Sequence, residues 1–197
     1  MLIDFLHQAD QSLTLAINGL HSPLTDSFWV FCSDKKVWFP FYLITAFFLV
    51  RRLGWKRGLA VILAAILTIV ACDQTSNLFK ESIGRLRPCY NTGMLSGGLH
   101  MLEGRGNFFG FFSAHAANTF GFALCTIWGF RGDAARSYKA YDAGVLIWAV
   151  LVSVSRIFVA KHYLGDVLVG ACIGTCYGIL FGWLANSLSD RFLTKRE

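Results

Sequence analysis

Apolar runs separated by short charged segments dominate the pattern of hydrophobic and polar positions along the chain. Five runs are candidate membrane spans, at residues 37–50, 58–72, 113–130, 141–154 and 163–188. The second run continues through Asp73, Asn77 and Lys80, which share one helical face. A crossing helix needs about 20 residues, so residues 37–50 must extend at both ends to span. The pattern predicts an all-α fold, a polytopic transmembrane bundle of about five spans.

The remaining segments carry weaker patterns. Residues 1–22 are amphipathic, which is typical of a helix lying on the membrane surface or of an ordinary packed N-terminal helix. Residues 81–112 form a long, glycine-rich connection, and loops of that length usually carry function or are disordered. Glycines at every fourth position from 170 to 182 predict a ridge for close helix packing. We expect one domain over residues 1–197, with its motifs in a core at residues 80–166.

Composition supports the membrane assignment, because 55% of residues are hydrophobic and 15% are charged. Soluble domains carry about 25% charged residues. The net charge of +6 does not indicate nucleic-acid binding, since Lys and Arg concentrate in segments 51–57, 131–139 and 189–197 beside apolar runs. The positive-inside rule places those segments in the cytoplasm and residues 80–112 and 155–162 outside. The six cysteines form no CxxC pair, and no cleaved signal peptide is expected.

Cations, histidines and a carboxylate gather in three segments that this topology brings to the outer face. His162 and Asp166 are four residues apart, so they share a face on a helical turn. A neutral histidine held by a carboxylate can attack phosphorus, and a second histidine can protonate the leaving oxygen. Arginine forks, a lysine and the N–H groups at a helix start bind phosphate oxygens. The residues of this constellation are Lys80, Arg87, Ser113, Ala114, His115, Arg156, His162 and Asp166.

The spacing of these residues resembles the type 2 phosphatidic acid phosphatase superfamily, which also includes the vanadium haloperoxidases. The family's three motifs are Lys-x6-Arg-Pro, Pro-Ser-Gly-His and Ser-Arg-x5-His-x3-Asp. The first is complete here at residues 80–88, and the third is complete at residues 155–166. The second, at residues 112–115, reads Phe-Ser-Ala-His, so Phe replaces Pro and Ala replaces Gly.

The resemblance implies a role for each residue of the constellation. His162 would be the nucleophile that forms a phosphohistidine, with Asp166 orienting it and His115 as the general acid. No cofactor and no metal are expected. The phosphate would be held by Lys80, Arg87, Ser113, the amide of Ala114 and Arg156. A second set is expected at the rim or in loops, with Arg85 and Arg105 as possible headgroup contacts: Arg85, His100, Glu103, Arg105 and Lys161.

We therefore expect a metal-independent phosphatase that acts on a membrane lipid at the outer surface of a bacterial inner membrane. Undecaprenyl diphosphate is the first candidate substrate; phosphatidylglycerol phosphate, phosphatidic acid and lipid A phosphate are the others. Two alternatives stay open: a vanadate-dependent peroxidase, and a phospholipid-binding protein without catalysis. The expected partners are the lipid phosphate and the bilayer, and the sequence does not indicate an oligomeric state.

Overall fold

A computed structural model describes residues 1–193 as helices and connecting loops, with side chains through residue 191. The basic residues 195 and 196, expected in the cytoplasm, lie outside the described residues. Two short 3₁₀ turns, Lys35–Trp38 and Pro88–Tyr90, join longer elements. The α-helices are α1 (Leu2–Asn18), α2 (Pro23–Ser33), α3 (Phe39–Leu53), α4 (Trp55–Ile83), α5 (Thr92–Ser96), α6 (Ala114–Phe130), α7 (Lys139–Phe158) and α8 (Leu164–Leu193).

Each of the five predicted spans coincides with a helix, and the predicted all-α transmembrane bundle is confirmed. Within residues 1–191, α4, α7 and α8 are long and apolar enough to cross a membrane. The other two, α3 with 15 residues and α6 with 17, are shorter than the usual span of about 20 residues. How many helices cross stays a prediction.

Helix α6 lies at the centre of the bundle and packs most closely against α8. The predicted glycine ridge on α8 makes this possible, because Gly170, Gly174, Gly178 and Gly182 lie directly against the α6 backbone. A methyl group at Gly182 would lie 2.7 Å from the Cys125 carbonyl oxygen, inside van der Waals contact. The close approach fixes the start of α6, and with it Ser113 and His115, against the start of α8.

The replacement Gly174→Ala is expected to destabilise the protein by about 2 kcal/mol, as overpacked sites do. The added methyl group would overlap the Ala117 backbone of α6, which cannot move aside alone. Thermal unfolding in detergent measures the effect. Gly144→Ala in α7 is the matched control, because nothing lies within 4 Å of its added methyl group. Equal melting temperatures for the two variants would contradict this packing.

Helix α1 turns Thr14 and Asn18 inward and leaves most of its apolar residues exposed, among them Leu2, Ile3 and Phe5. Leu15 and Ile17 are exceptions that pack against the core. Its polar side chains bind the backbone at the start of α8: Thr14 Oγ1 accepts from the Leu164 N–H (3.0 Å) and Asp10 Oδ1 accepts from the Gly165 N–H (2.8 Å). These N–H groups have no partner within α8, since the first turn of a helix lacks preceding carbonyls. An exposed apolar face is typical of a helix lying on a membrane surface, and that placement of α1 stays a prediction.

Candidate active site

The turn between α7 and α8 carries the third motif. Ala160 takes a left-handed conformation, with φ of 58°, just after the end of α7. The N–H groups of Lys161 and His162 both donate to the Arg156 carbonyl, at 3.0 and 3.2 Å. This tight turn at the C-terminus of α7 reverses the chain direction and places His162 just before α8. His162 is 2% exposed there.

His162 and Asp166 face each other across the first turn of α8, as their spacing predicts. Nδ1 of His162 lies 3.5 Å from Asp166 Oδ2, a contact that orients the imidazole without a short hydrogen bond. The same Oδ2 accepts from the Tyr163 N–H at 3.1 Å, so Asp166 also satisfies the start of its own helix. Because Nδ1 faces the carboxylate, Nε2 is the nitrogen left for a substrate.

Arg85 connects this carboxylate to the N-terminal helix. Its guanidinium donates to Asp166 Oδ1 and to Asp10 Oδ2, each at 2.6 Å, and lies over the Tyr163 ring with its carbon 4.0 Å from the centroid. Arg85 lies in the loop after α4, one of its two expected places, but it pairs directly with a site carboxylate, which the sequence did not predict. Asp166 is fully buried, and a buried carboxylate needs a paired cation. The sequence does not single out Asp10, because its partner Arg85 is 75 positions away and its own segment has only an amphipathic pattern.

The second motif joins the third through the backbone. The Ser113 N–H donates to the Asp166 carbonyl at 3.0 Å, and the Ser113 side chain accepts from the Ala116 N–H at 3.4 Å as the N-cap of α6. The N–H of Ala114 has no partner within the described part of the chain and is available to an anion at this helix start. Ser113 therefore shapes the site chiefly through its cap.

The two departures in the second motif fit their surroundings. Phe112 is fully buried and packs with Cys72 and Ala117 in one apolar cluster. Its carbonyl accepts from Ser76 Oγ at 3.1 Å, which ties the motif to α4. Ala114 is not among the described residues with positive φ, so its backbone needs no glycine.

The first motif is held by the long loop. Arg87 is 9% exposed, its N–H donates to the Phe108 carbonyl (2.9 Å) and its Nε to the Phe109 carbonyl (3.2 Å). A methyl group on Gly110 would lie 3.0 Å from Arg87 Cγ and 3.5 Å from His162 Nδ1, so the loop backbone forms one wall of the site. Lys80 is half-buried on α4, and its charge interacts with that of Arg87.

Arg156 completes the cationic wall. It is 5% exposed, its Nη1 contacts Ser33 Oγ on α2, and its Nε is buried without an acceptor among residues 1–191. The charges of Arg87 and Arg156 both act on His115. Ser33 was not recognised in the sequence, because α2 gives no motif. A buried guanidinium with a free N–H donor is suited to binding an anion.

Lys161 and Arg105, both expected at the rim or in loops, contact residues of the 81–112 connection. Lys161 is 6% exposed, donates from Nζ to the Gly104 carbonyl and lies 3.8 Å from Glu103 Oε2. This tether supports the prediction that Lys161 has no direct role. The Arg105 guanidinium lies 5.6 Å from the Tyr90 ring centroid.

Among the described residues, His21, Asp26 and His100 form a group with metal-ligand atoms within 4.8 Å of one another. His100 Nε2 lies 3.2 Å from Asp26 Oδ2, and the two imidazoles stack at 3.6 Å. None of the three belongs to the set predicted for catalysis or phosphate binding.

Burial lowers the pKa of His162 to about 4, although the Asp166 carboxylate opposes the shift. The imidazole is therefore neutral, and able to act as a nucleophile, down to about pH 4 rather than 6.5. We expect kcat/KM to fall on the acid side only near pH 4, since kcat/KM reports the pKa values of the free enzyme. The pH profile of kcat/KM measures this with two substrates whose phosphates differ in pKa. A limb near 6.5 that both substrates share would contradict the assignment.

Comparison with known proteins agrees with this geometry. Residues 54–189 match the model of the PAP2 superfamily. The chain is 36% identical over 192 residues to a lipid A 4'-phosphatase of Bacteroides thetaiotaomicron, covering 96% of this chain and 83% of the relative. It is 29% identical over 173 residues to a lipid A 4'-phosphatase of Porphyromonas gingivalis, covering 87% and 71%.

Two crystal structures share the fold. Aquifex aeolicus LpxE superposes with a TM-score of 0.63 at 23% identity, covering 86% of this chain and 92% of that one. The first transmembrane PAP2-type phosphatidylglycerolphosphate phosphatase of Bacillus subtilis superposes with a TM-score of 0.67 at 19% identity, covering 95% and 87%. The matched region contains all three motifs, and the chain belongs to the PAP2 superfamily as a phosphatase of membrane lipids.

Proposed function

We propose that this chain hydrolyses a phosphate monoester of lipid A, releasing inorganic phosphate, through a phosphohistidine on His162. The observation that carries the proposal is a buried imidazole, oriented by Asp166, in one site with the buried guanidinium groups of Arg87 and Arg156. The relatives, both lipid A 4'-phosphatases, favour lipid A over undecaprenyl diphosphate, the first candidate from the sequence. Undecaprenyl diphosphate has no support from these relatives.

The chemistry consists of two displacements at phosphorus. Nε2 of His162 attacks the phosphorus and the bond to the lipid oxygen breaks. His115, which is protonated in the substrate complex beside the phosphate anion, gives its proton to the leaving oxygen. His115, now neutral, takes a proton from water, whose oxygen attacks the phosphohistidine and releases inorganic phosphate. His162 returns to its neutral form and His115 to its protonated form.

Fixed positive groups stabilise the charge that develops on the phosphoryl oxygens. Arg87 and Arg156 are buried, so their interaction with an anion is less screened than at a surface. Lys80 adds a third charge, and the Ala114 N–H at the start of α6 adds a backbone donor. These groups are in place before substrate binds, which is what makes such stabilisation effective.

The location we propose is the inner membrane, with the site on the outer face. Lys and Arg of segments 51–57 and 131–139 lie at the opposite ends of the helices from the motif residues. The substrate then keeps its acyl chains in the bilayer while its phosphate enters the site.

Purified protein assayed for phosphate release over a panel of lipid phosphates tests the proposal. The panel contains lipid A, phosphatidylglycerol phosphate, phosphatidic acid and undecaprenyl diphosphate, each with and without EDTA. We expect release from lipid A at a rate that EDTA does not change. Loss of activity in EDTA would contradict the metal-free mechanism, and no release from any lipid would favour a binding protein. Halide oxidation with vanadate would favour the peroxidase.

A further inference from the structure

A cavity of about 280 Å³ opens on the His115 side of the site, between α3, α4, α6 and α7. Its lining includes His115, Asn118 and Asp73. Asn118 lies about one turn after His115 in α6, and Asp73 belongs to α4. On another side it is lined by the aromatic residues Trp38 and Tyr42. If His115 protonates the leaving oxygen, as proposed above, the alcohol part of the substrate lies on this side of phosphorus. The cavity is then where the leaving alcohol sits.

Asn118 and Asp73, which both line the cavity, have acceptor atoms left over. Asn118 Nδ2 donates to Asp73 Oδ1 at 2.9 Å, and because a carboxylate can only accept, this fixes the orientation of the amide. Asn118 Oδ1 is then a buried acceptor without a partner among the described residues. Asp73 also keeps accepting capacity, since a carboxylate has about four lone-pair sites.

An unpaired buried acceptor selects for a donor, because leaving it unsatisfied costs free energy that a hydroxyl or amide N–H recovers. A second phosphate would bring only acceptors and a like charge next to Asp73. A prenyl chain or a diacylglycerol brings no donor at all. Lys35 also lines the cavity, but it is exposed, so solvent and salt screen its attraction for a second phosphate.

We infer that Asp73 and Asn118 form a specificity subsite for a leaving alcohol that carries hydrogen-bond donors near the phosphorylated oxygen, such as an amino sugar. This inference rests on the proposed function, since it takes the leaving oxygen to lie beside His115. Trp38 and Tyr42 suit the same ligand, because aromatic side chains offer an apolar face to a sugar ring and Tyr adds a hydroxyl. A glycerol headgroup with a free hydroxyl shares the donor chemistry and is distinguished below.

The test is the ratio of kcat/KM between substrates with and without such donors. Lipid A 4'-phosphate carries an amino sugar and phosphatidylglycerol phosphate a glycerol hydroxyl, whereas phosphatidic acid and undecaprenyl diphosphate have leaving groups without donors. We expect the wild-type protein to prefer lipid A over phosphatidic acid by at least about tenfold, and Asn118→Leu to lower that ratio by about tenfold, the loss of one buried hydrogen bond. If kcat/KM relative to phosphatidic acid is higher for phosphatidylglycerol phosphate than for lipid A, the result overturns the amino sugar and favours a glycerol as the leaving alcohol.

If Asn118→Leu does not fold, the double variant Asp73→Leu with Asn118→Leu removes both polar groups together and leaves no unpaired carboxylate. An unchanged ratio in a folded variant overturns the subsite while leaving the phosphatase proposal standing. A wild-type preference for undecaprenyl diphosphate overturns both the subsite and lipid A as the substrate. No release from any lipid by the wild-type protein overturns the proposed function itself, and the subsite with it.

Discussion

His162→Ala is expected to release phosphate from lipid A at about 10⁻⁴ of the wild-type rate or less, the scale seen when a covalent nucleophile is removed. Without the imidazole, no phosphoenzyme forms, and water must attack the lipid phosphate directly. The cationic groups still bind phosphate, so KM should change far less than kcat. Phosphate release by purified variants in detergent, at saturating lipid, measures both quantities.

The control is His7→Ala, which removes an exposed histidine of α1 that contacts Gln11 at 2.8 Å. Its rate should match the wild type. Thermal unfolding establishes that His162→Ala still folds, since deleting a buried ring leaves a cavity. A folded His162→Ala protein with a tenth or more of the wild-type rate would exclude His162 as the nucleophile.

Arg85→Gln is expected to have the second largest effect, on stability and on rate together. It leaves the carboxylates of Asp10 and Asp166, 15% and 0% exposed, without the cation that bridges them. Removing one partner of a buried ion pair typically costs about 3–5 kcal/mol. In the protein that remains folded, Asp166 no longer holds one position beside His162, so kcat should fall about 100-fold.

Arg51→Gln, an exposed arginine at the end of α3, is the matched control and should change neither quantity. A positioning role also predicts a shift in the acid limb of the kcat/KM profile, because the Asp166 carboxylate beside His162 loses its paired cation. Arg85→Lys keeps the charge and should recover part of the stability. If Arg85→Gln folded as stably as Arg51→Gln and kept its rate, the bridge would be dispensable.

Much of this site follows from the sequence, since its residues come in short segments with fixed spacing. His162 and Asp166 meet because i and i+4 share a helical face, and Ser113 caps α6 because Ser before an apolar run is a strong helix start. The glycine period on α8 predicts close packing, and the apolar runs predict the helices. Each of these features depends on neighbours in the chain, which a sequence displays.

What the sequence does not display are contacts between distant segments that carry no motif. Asp10 and Arg85 are 75 positions apart, and the Asp10 segment has the pattern of an ordinary amphipathic helix. Ser33 meets Arg156 only because α2 packs against the end of α7. Asn118 is an unremarkable polar residue in an apolar helix until Asp73 is placed beside it. Such pairs depend on the three-dimensional packing of the bundle.

The stereochemical course at phosphorus tests the phosphohistidine mechanism most directly. Each in-line displacement inverts the configuration, so a mechanism with one covalent intermediate inverts it twice. Hydrolysis by the wild-type protein of a lipid phosphate made chiral with oxygen isotopes and sulfur should therefore give inorganic thiophosphate with retained configuration. Inverted configuration would mean a single attack by water, and would contradict His162 as a covalent nucleophile.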